Sequence, residues 1–561
     1  MRPFPTFLRS LAHVLWMPGV LLLACTHTAP TVSGPPEPPR RVHVQVLAIN
    51  DLHGHLEPPA GSTGQVRVGQ ERVNAGGAAF LARHLATRRA TNPNTVVVAA
   101  GDLIGGSPLV SALFHDEPAI DALNLAGLEL AAVGNHEFDE GAAELLRMQK
   151  GGCHPKDGCQ DGTPFDGARF QYLAANVVTE DGRTLLPPHA VRTFEGVKVA
   201  FIGMTLEGTP EIVEPTGIAG LRFRDEVETV NALVPELKRQ GVEAIVVLVH
   251  EGGVQTGSYD GCEGISGPIV AIAQGVDDEV DALITGHTHQ SYNCVIDGKR
   301  VTSASSYGRV FTDLDLVLDA ATGEVVESTA HNLIVTRDVE PHPEVTALVE
   351  RYTGLAATLR LRVIGRVAEA LHQPDARRWP SGESTLGNTI ADSQLEATRA
   401  PEHGGAQVAF MNPGGIRAEL DAGDVTYDEA FTVQPFGNTL VTMTLTGEQL
   451  HTLLEQQWQE GAHARVLQPS RGFTYTYKAS APMGQKVDAA SMRLNGKPVD
   501  PAGRYRVTVN SFLAPGGDGF RVLAEGTERV GGPVDVDALE AWLRKNQPLS
   551  PPDTRRITRV E

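Results

Sequence analysis

Five short apolar, β-branched runs between residues 44 and 289 each stop at a side chain that can bind a metal ion. Residues 44–49 lead through Asn50 into Asp51 and His53. Residues 96–100 end in Gly101-Asp102, and residues 128–133 in Gly134-Asn135-His136. Residues 245–249 end in His250, and residues 281–285 in Gly286-His287-Thr288-His289. Runs of this length and composition read as buried strands. In α/β sheets, function collects beyond the carboxyl ends of the strands. A single Asp or His after a strand is ordinarily a helix cap or a solvated loop residue. Capping does not explain five such ends in succession, so the spacing predicts that they converge. The donors are carboxylate, imidazole and amide oxygen, with no thiolate. That set suits zinc, manganese or iron and is too rich in imidazole for calcium. A carboxylate on a middle strand, with ligands on both sides, can bridge two ions, and Asp102 holds that position.

In chain order the strings are D-x-H, G-D, G-N-H-E, H-E-G-G and G-H-T-H, a series that resembles the calcineurin-like metallophosphoesterases. The fuller strings Asn50-Asp51-Leu52-His53-Gly54-His55 and Gly134-Asn135-His136-Glu137-Phe138-Asp139 are similar to its 5'-nucleotidase branch. The resemblance covers nearly everything from about residue 42 to the C-terminus. It implies an α/β fold: an N-terminal metallophosphoesterase β-sandwich flanked by helices, a linking helix and a C-terminal α/β 5'-nucleotidase domain. It also implies two divalent metal ions (Zn, Mn or Fe) as cofactors. One would take Asp51, His53, Asp102 and His289, and the other Asp102, Asn135, His250 and His287. Two metals about 3.5–4 Å apart activate water and polarise a phosphoryl oxygen. His136 and Asp139 are close enough in sequence to meet within one turn. The resemblance makes them a dyad that stabilises the transferring phosphoryl group. His289 is a departure, because several nucleotidases of the branch have Gln or Asn there. Imidazole should hold a transition metal more firmly than an amide oxygen.

The C-terminal half offers three Gly- or Pro-rich loops: Asn412-Pro413-Gly414-Gly415-Ile416-Arg417, Gln434-Pro435-Phe436-Gly437-Asn438, and residues 510–520 with Phe512 and Asp518. Aromatic rings on loops can sandwich a nucleobase; each Phe taken alone could equally be core. By resemblance, Phe436 and Phe512 would stack on the base and Asp518 would accept from the ribose hydroxyls. Asn412 and Arg417 would contact the base or phosphate side. The branch's arginine ahead of Glu383-Ser384-Thr385 is displaced here, with Arg377 or Arg378 as possible substitutes.

Helical patterns at 78–87, 118–125 and 226–238 alternate with the strands, as in an α/β domain. Residues 310–318 alternate apolar and polar, which suggests an edge or half-buried strand. The expected organisation is a lipoprotein signal peptide (1–25), a Pro/Thr-rich tether (26–40), the metallophosphoesterase domain (41–335), a linker helix (336–361) with a hinge near 355–365, and the nucleotide-binding domain (362–561). Arg2 and Arg9 precede an apolar stretch too short to span a bilayer. It ends Leu22-Leu23-Ala24-Cys25, which resembles a lipobox with an unusually large Leu23, so Cys25 is expected to carry a lipid anchor outside the cytoplasm, with a plain secretory signal as the alternative. The four remaining cysteines suggest two disulfides. Three connectivities are possible; Cys153–Cys159 with Cys262–Cys294 is a guess among them. The formal net charge is −21, from 47 Lys and Arg against 68 Asp and Glu. That balance argues against a nucleic acid polymer as partner, and no stretch points to a protein partner.

The resemblance implies a nucleoside 5'-monophosphate hydrolase, with UDP-sugars as further candidates. The alternatives are a 2',3'-cyclic-nucleotide 2'-phosphodiesterase with 3'-nucleotidase activity, a sulfur-oxidation thiosulfohydrolase of related plan, and a non-catalytic nucleotide-binding surface lipoprotein.

Overall fold

The computed structural model describes residues 39–59, 61–213, 215–459 and 464–561. The apolar leader, Cys25 and the tether up to residue 38 lie outside the described residues.

The five ligand-bearing strands belong to two sheets, as a β-sandwich requires. The first sheet has six strands in the order Val325–Ile334, Val310–Asp319, Arg41–Ile49, Thr95–Ala100, Leu130–Ala132 and Gln171–Leu173. The second runs Ser291–Ile296, Lys299–Ala304, Ala282–Thr285, Ala244–His250, Val197–Thr205 and His189–Phe194. The sheets face each other across one core. Val44, Val46, Val96 and Val98 of the first meet Val199, Phe201, Val246 and Leu248 of the second. The alternate residues point outward and are also buried. Leu47, Ile49 and Val97 pack under the helices Ala78–Arg89 and Glu117–Ala126. Ile245, Val247 and Val249 pack under Glu226–Arg239 and Pro268–Gly275. Burial on both faces is why these strands read as continuous apolar runs, and each buried aliphatic side chain contributes about 1.5–3 kcal/mol. Asp225 starts the third of these helices by accepting the Glu228 N–H at 2.7 Å.

The strand Val310–Asp319 is not at an edge. It is hydrogen bonded on one side to Arg41–Ile49 and on the other to Val325–Ile334. Its alternation comes from the sandwich: Leu314, Leu316 and Leu318 enter the inter-sheet core, while Asp313 turns outward to Arg88 and Gln45.

The helix Pro343–Arg360 lies on the first domain through Val345, Tyr352 and Ala356. At its end Arg360 pairs with Glu57 (2.6 Å) and with Asp428 of the C-terminal domain (2.9 Å). That domain is built on a five-stranded sheet in the order Gln468–Pro469, Val408–Met411, Arg504–Asn510, Thr439–Thr446 and Thr527–Val534. Val408–Met411 and Arg504–Asn510 are parallel neighbours, so Asn412 and Phe512 emerge from the same edge. Thr439–Thr446 runs antiparallel to the latter, which brings the Phe436 loop to that edge as well. Disulfides join Cys153 to Cys159 and Cys262 to Cys294.

Candidate active site

All seven expected ligands meet where the two sheets end. Asp51, Asp102 and Asn135 come from neighbouring strands of one sheet, and His250 and His287 from neighbouring strands of the other. Glycines make the approach possible. A Cβ on Gly101 would lie 2.6 Å from the Gly134 nitrogen and 2.8 Å from His250 Nδ1. On Gly286 it would lie 2.9 Å from the Ala100 carbonyl oxygen. The ligands themselves are strained. Asp51, His53, Asp102, His287 and His289 have φ of 50°, 48°, 50°, 69° and 54°, in the left-handed region that side chains other than glycine seldom adopt.

The donor atoms fall into two groups sharing one neighbourhood. Those of Asp51, His53 and His289 lie within 4.8 Å of one another, as do those of Asp102, His250 and His287. Asp102 Oδ2 stands between them, 3.7 Å from His53 Nε2 and 2.9 Å from His250 Nε2. His287 Nδ1 lies 3.1 Å from Asn135 Oδ1. Backbone carbonyls set the tautomers: His53 Nδ1–H donates to Gly105 O (2.8 Å) and His250 Nδ1–H to Ala100 O (2.7 Å). Both Nε2 lone pairs then point into the site, as outer partners of metal-binding histidines arrange.

These residues fit a pair of divalent cations. His53 Nε2 and His289 Nε2 are 3.0 Å apart, and both face the same centre. Burial lowers His53 and His289 well below the usual histidine range, and burial with the neighbouring His250 takes His287 down to about 3. His250 Nε2 is buried and, despite its closeness to Asp102, lacks hydrogen-bond geometry. Burial pushes Asp51 up to about 7. Burial opposes ionisation of Asp102 too, but the His250 and His136 imidazoles outweigh it and hold that carboxyl well below its usual range. Burial pulls His250 down, but the Asp102 carboxylate outweighs it and raises that imidazole to about 10, so the carboxylates of this centre call for positive charge, which bound cations would supply.

His136 and Asp139 meet across a single turn, Nδ1 to Oδ2 at 2.7 Å. Burial pulls the imidazole down, and the charges of Asp139 and Asp102 raise it above its ordinary value. The His136 backbone N–H also donates to Asp102 Oδ1 (2.9 Å), locking the dyad to the ligand loop. Glu137 lies within a string the sequence singles out, yet its role is visible only in three dimensions. Its buried carboxylate accepts from the backbone N–H groups of Asp102 (2.9 Å), Leu103 (2.8 Å) and Gly134 (2.5 Å).

A cavity of about 240 Å³ opens from this centre toward the C-terminal domain. One wall carries Asn135, His136, Asp139 and His287. The other carries all five expected substrate residues: Asn412, Arg417, Phe436, Phe512 and Asp518. Phe436 lies on His136, with centroids 5.6 Å apart and planes at 15°, and the Arg417 guanidinium is 5.8 Å from its centroid. Arg417 Nη2 is buried without a hydrogen-bond partner. Asp518 Oδ2 accepts from Asn412 Nδ2 (2.8 Å), and its Oδ1 lies 3.8 Å from Arg465 Nε. Burial raises the Asp518 carboxyl, against the pull of Arg465. Arg465, Asn438 and Asn510 also line the cavity; no motif marks Arg465. Arg377 and Arg378 do not substitute for the displaced arginine. Both are exposed, Arg377 paired with Asp375 and Arg378 over Trp379.

Residues 44–291 match the family model for calcineurin-like phosphoesterase, and residues 363–525 that for the 5'-nucleotidase C-terminal domain. The cell wall protein Lmo0130 of Listeria monocytogenes is 32% identical over 92% of the chain and 68% of its own length. Endonuclease YhcR of Bacillus subtilis is 32% identical over 93% of the chain, which spans only 41% of that relative. The crystal structure of a 5'-nucleotidase precursor from Thermus thermophilus superposes with a TM-score of 0.76 at 29% identity, covering 92% of this chain and 99% of that one.

Proposed function

The chain belongs to the 5'-nucleotidase family of calcineurin-like phosphoesterases, and from that membership we propose that it hydrolyses nucleoside 5'-monophosphates to nucleoside and phosphate, outside the cytoplasm, with two divalent metal ions. Membership makes it a metal-dependent phosphoric ester hydrolase. The observation that carries the finer reading is the shared cavity. It places the dyad and two candidate ligands opposite a buried, unpartnered arginine nitrogen and two loop phenylalanines.

When bound, the metal pair supplies an activated water and Lewis-acid polarisation of the phosphoryl oxygens. Asp51, His53, Asp102 and His289 would hold one ion, and Asp102, Asn135, His250 and His287 the other. His136, held by Asp139, presents its ring to the transferring group and stabilises the charge that develops there. Arg417 binds the phosphate with a planar fork. Asp518 accepts a ribose hydroxyl through Oδ1, since Asn412 already occupies Oδ2. Phe436 has His136 and Arg417 against it, so base stacking rests first on Phe512.

Work outside the cytoplasm is supported by the two disulfides and by the likeness to a protein named for the cell wall. Lipidation at Cys25 rests on the sequence alone.

The test is phosphate release by the chain reconstituted with manganese or zinc. AMP, UDP-glucose, 2',3'-cyclic AMP, a thiosulfate conjugate and single-stranded DNA are offered in parallel. A second phosphatase is added where the first product keeps its phosphate, and sulfate is assayed for the conjugate. Metal-dependent hydrolysis of AMP above the others is the expected result. Turnover of the cyclic nucleotide or of DNA in preference to AMP would replace this reading with a phosphodiesterase.

A further inference from the structure

Two side chains that belong to none of the sequence motifs close on one residue of the cleft, Asp518. Gln459 follows the helix Gly447–Glu455, and Arg465 precedes the strand Gln468–Pro469. The Arg465 backbone N–H donates to the Gln457 carbonyl (2.9 Å), and the Leu467 N–H donates to Gln457 Oε1 (2.7 Å). Gln457 therefore fixes the stretch from which Arg465 projects.

Asp518 sits in the turn Gly517–Gly519 with φ 57° and ψ 19°, a conformation that residues other than glycine adopt at a cost. Its carbonyl oxygen is held by two donors. Gln459 Nε2 donates to it at 2.7 Å and Arg465 Nη1 at 3.2 Å, and Arg465 Nη1 also donates to Gln459 Oε1 (3.3 Å). Two donors fill both lone pairs of that oxygen. The turn is shaped to them, since a side chain on Gly519 would collide with the Gln459 amide. The guanidinium reaches on to the carboxylate, with Nε 3.8 Å from Oδ1. One group thus spans the main chain and the side chain of Asp518.

The carboxylate is held from its other side by Asn412, whose Nδ2 donates to Oδ2 (2.8 Å) and whose Oδ1 accepts from Asn510 Nδ2 (3.0 Å). Oδ1 is the oxygen left for substrate, and Arg465 is the cation that faces it. Burial works against the charged form of Asp518, and Arg465 works for it. An ionised carboxylate only accepts, and it binds a hydroxyl about twice as strongly as a neutral partner does.

Direct contact with substrate is the competing explanation, because Arg465 itself lines the cavity and its charge reaches His287. Its Nη1 is already committed and its Nε faces a carboxylate, which favours a role through Asp518.

We propose that Arg465 and Gln459 are positioning residues for Asp518, and that through it they set a preference for ribose over a sugar lacking both hydroxyls. This rests on the reading of Asp518 as the acceptor for a ribose hydroxyl.

The experiment compares kcat/KM for AMP and for 2',3'-dideoxy-AMP on the full chain reconstituted with manganese. The parent should prefer AMP, and Asp518→Asn should lose that preference. Arg465→Gln should reduce it by about tenfold while the rate on the dideoxy substrate stays within about twofold of the parent. Gln459→Leu, which keeps the bulk and removes the donor, should shift the preference in the same direction. Arg465→Lys, which keeps the charge and loses the fork, should fall between Arg465→Gln and the parent. Equal losses on both substrates in Arg465→Gln would overturn the inference, since a grip on phosphate or a general loss of structure acts on both alike. An unchanged preference in Arg465→Gln, with Asp518→Asn still losing it, would overturn the inference and leave the reading of Asp518 standing. A parent that hydrolyses AMP without preferring it, or does not hydrolyse it, would remove that reading and this inference with it.

Discussion

Replacing Arg417 by alanine tests the link between the two halves of the cleft. Its guanidinium lies against Phe436, its Nη2 is buried without a partner, and its positive charge reaches far enough to depress His53 and His289. A hydrogen bond to a charged partner is worth about 1.5–3 kcal/mol. If Arg417 grips the substrate phosphate, Arg417→Ala should lower kcat/KM for AMP by about 10–150-fold. The folded chain should lose nothing, because a buried nitrogen without a partner is a cost to folding and its removal relieves that cost. Arg417→Lys keeps the charge and loses the fork, so its activity should lie between the two. Steady-state phosphate release and a thermal melt on the same three proteins decide the matter. A twofold change or less in kcat/KM would refute the assignment. A large loss accompanied by a matching fall in Tm would make Arg417 a structural residue.

His136→Ala should reduce turnover by about 100–1,000-fold, the range for losing one transition-state donor, while metal content measured by mass spectrometry stays at the parent value. Full activity would remove the dyad from the reaction. Phe512→Ala should raise KM for AMP and spare bis-p-nitrophenyl phosphate, and equal losses on both substrates would make the ring structural. Glu137→Gln replaces an acceptor-only carboxylate bound by three backbone N–H groups with an amide that carries its own donors. It should weaken metal retention on dialysis; unchanged retention would show that the Asp102 loop holds itself. Chelation should lower Tm, since ions that bind the folded chain and not the unfolded one stabilise it. A Tm unmoved by chelator would refute that account.

The ligands were legible because burial on both faces forces apolar strands, and the interruption of such a run by Asp or His is conspicuous. The division of those strands between two sheets came only with the resemblance, which implies a β-sandwich, since pairing partners are a tertiary property and both sheets impose the same pattern. Val310–Asp319 shows the limit from the other side: alternation reports which faces are covered and does not separate an edge strand from a partly covered inner one. The loop residues of the second domain were found only through resemblance, because Gly-rich turns carry no chemistry of their own. Arg465 escaped altogether. It reaches the cavity from a loop with no marked composition, and its place is fixed by Asp518 and Gln459 rather than by its neighbours in sequence.

Five of the seven candidate ligands hold a backbone conformation that glycine adopts freely and other L-residues adopt at a cost of about 1 kcal/mol or more each. Together that is about 5 kcal/mol, a sizeable share of the 5–15 kcal/mol that typically holds a domain folded. Selection for a sturdier chain alone would therefore act against these residues, and a lineage that had abandoned the chemistry would gain stability with each one exchanged for glycine. Asp and His at all five positions therefore carry a folding cost that ions bound there would offset.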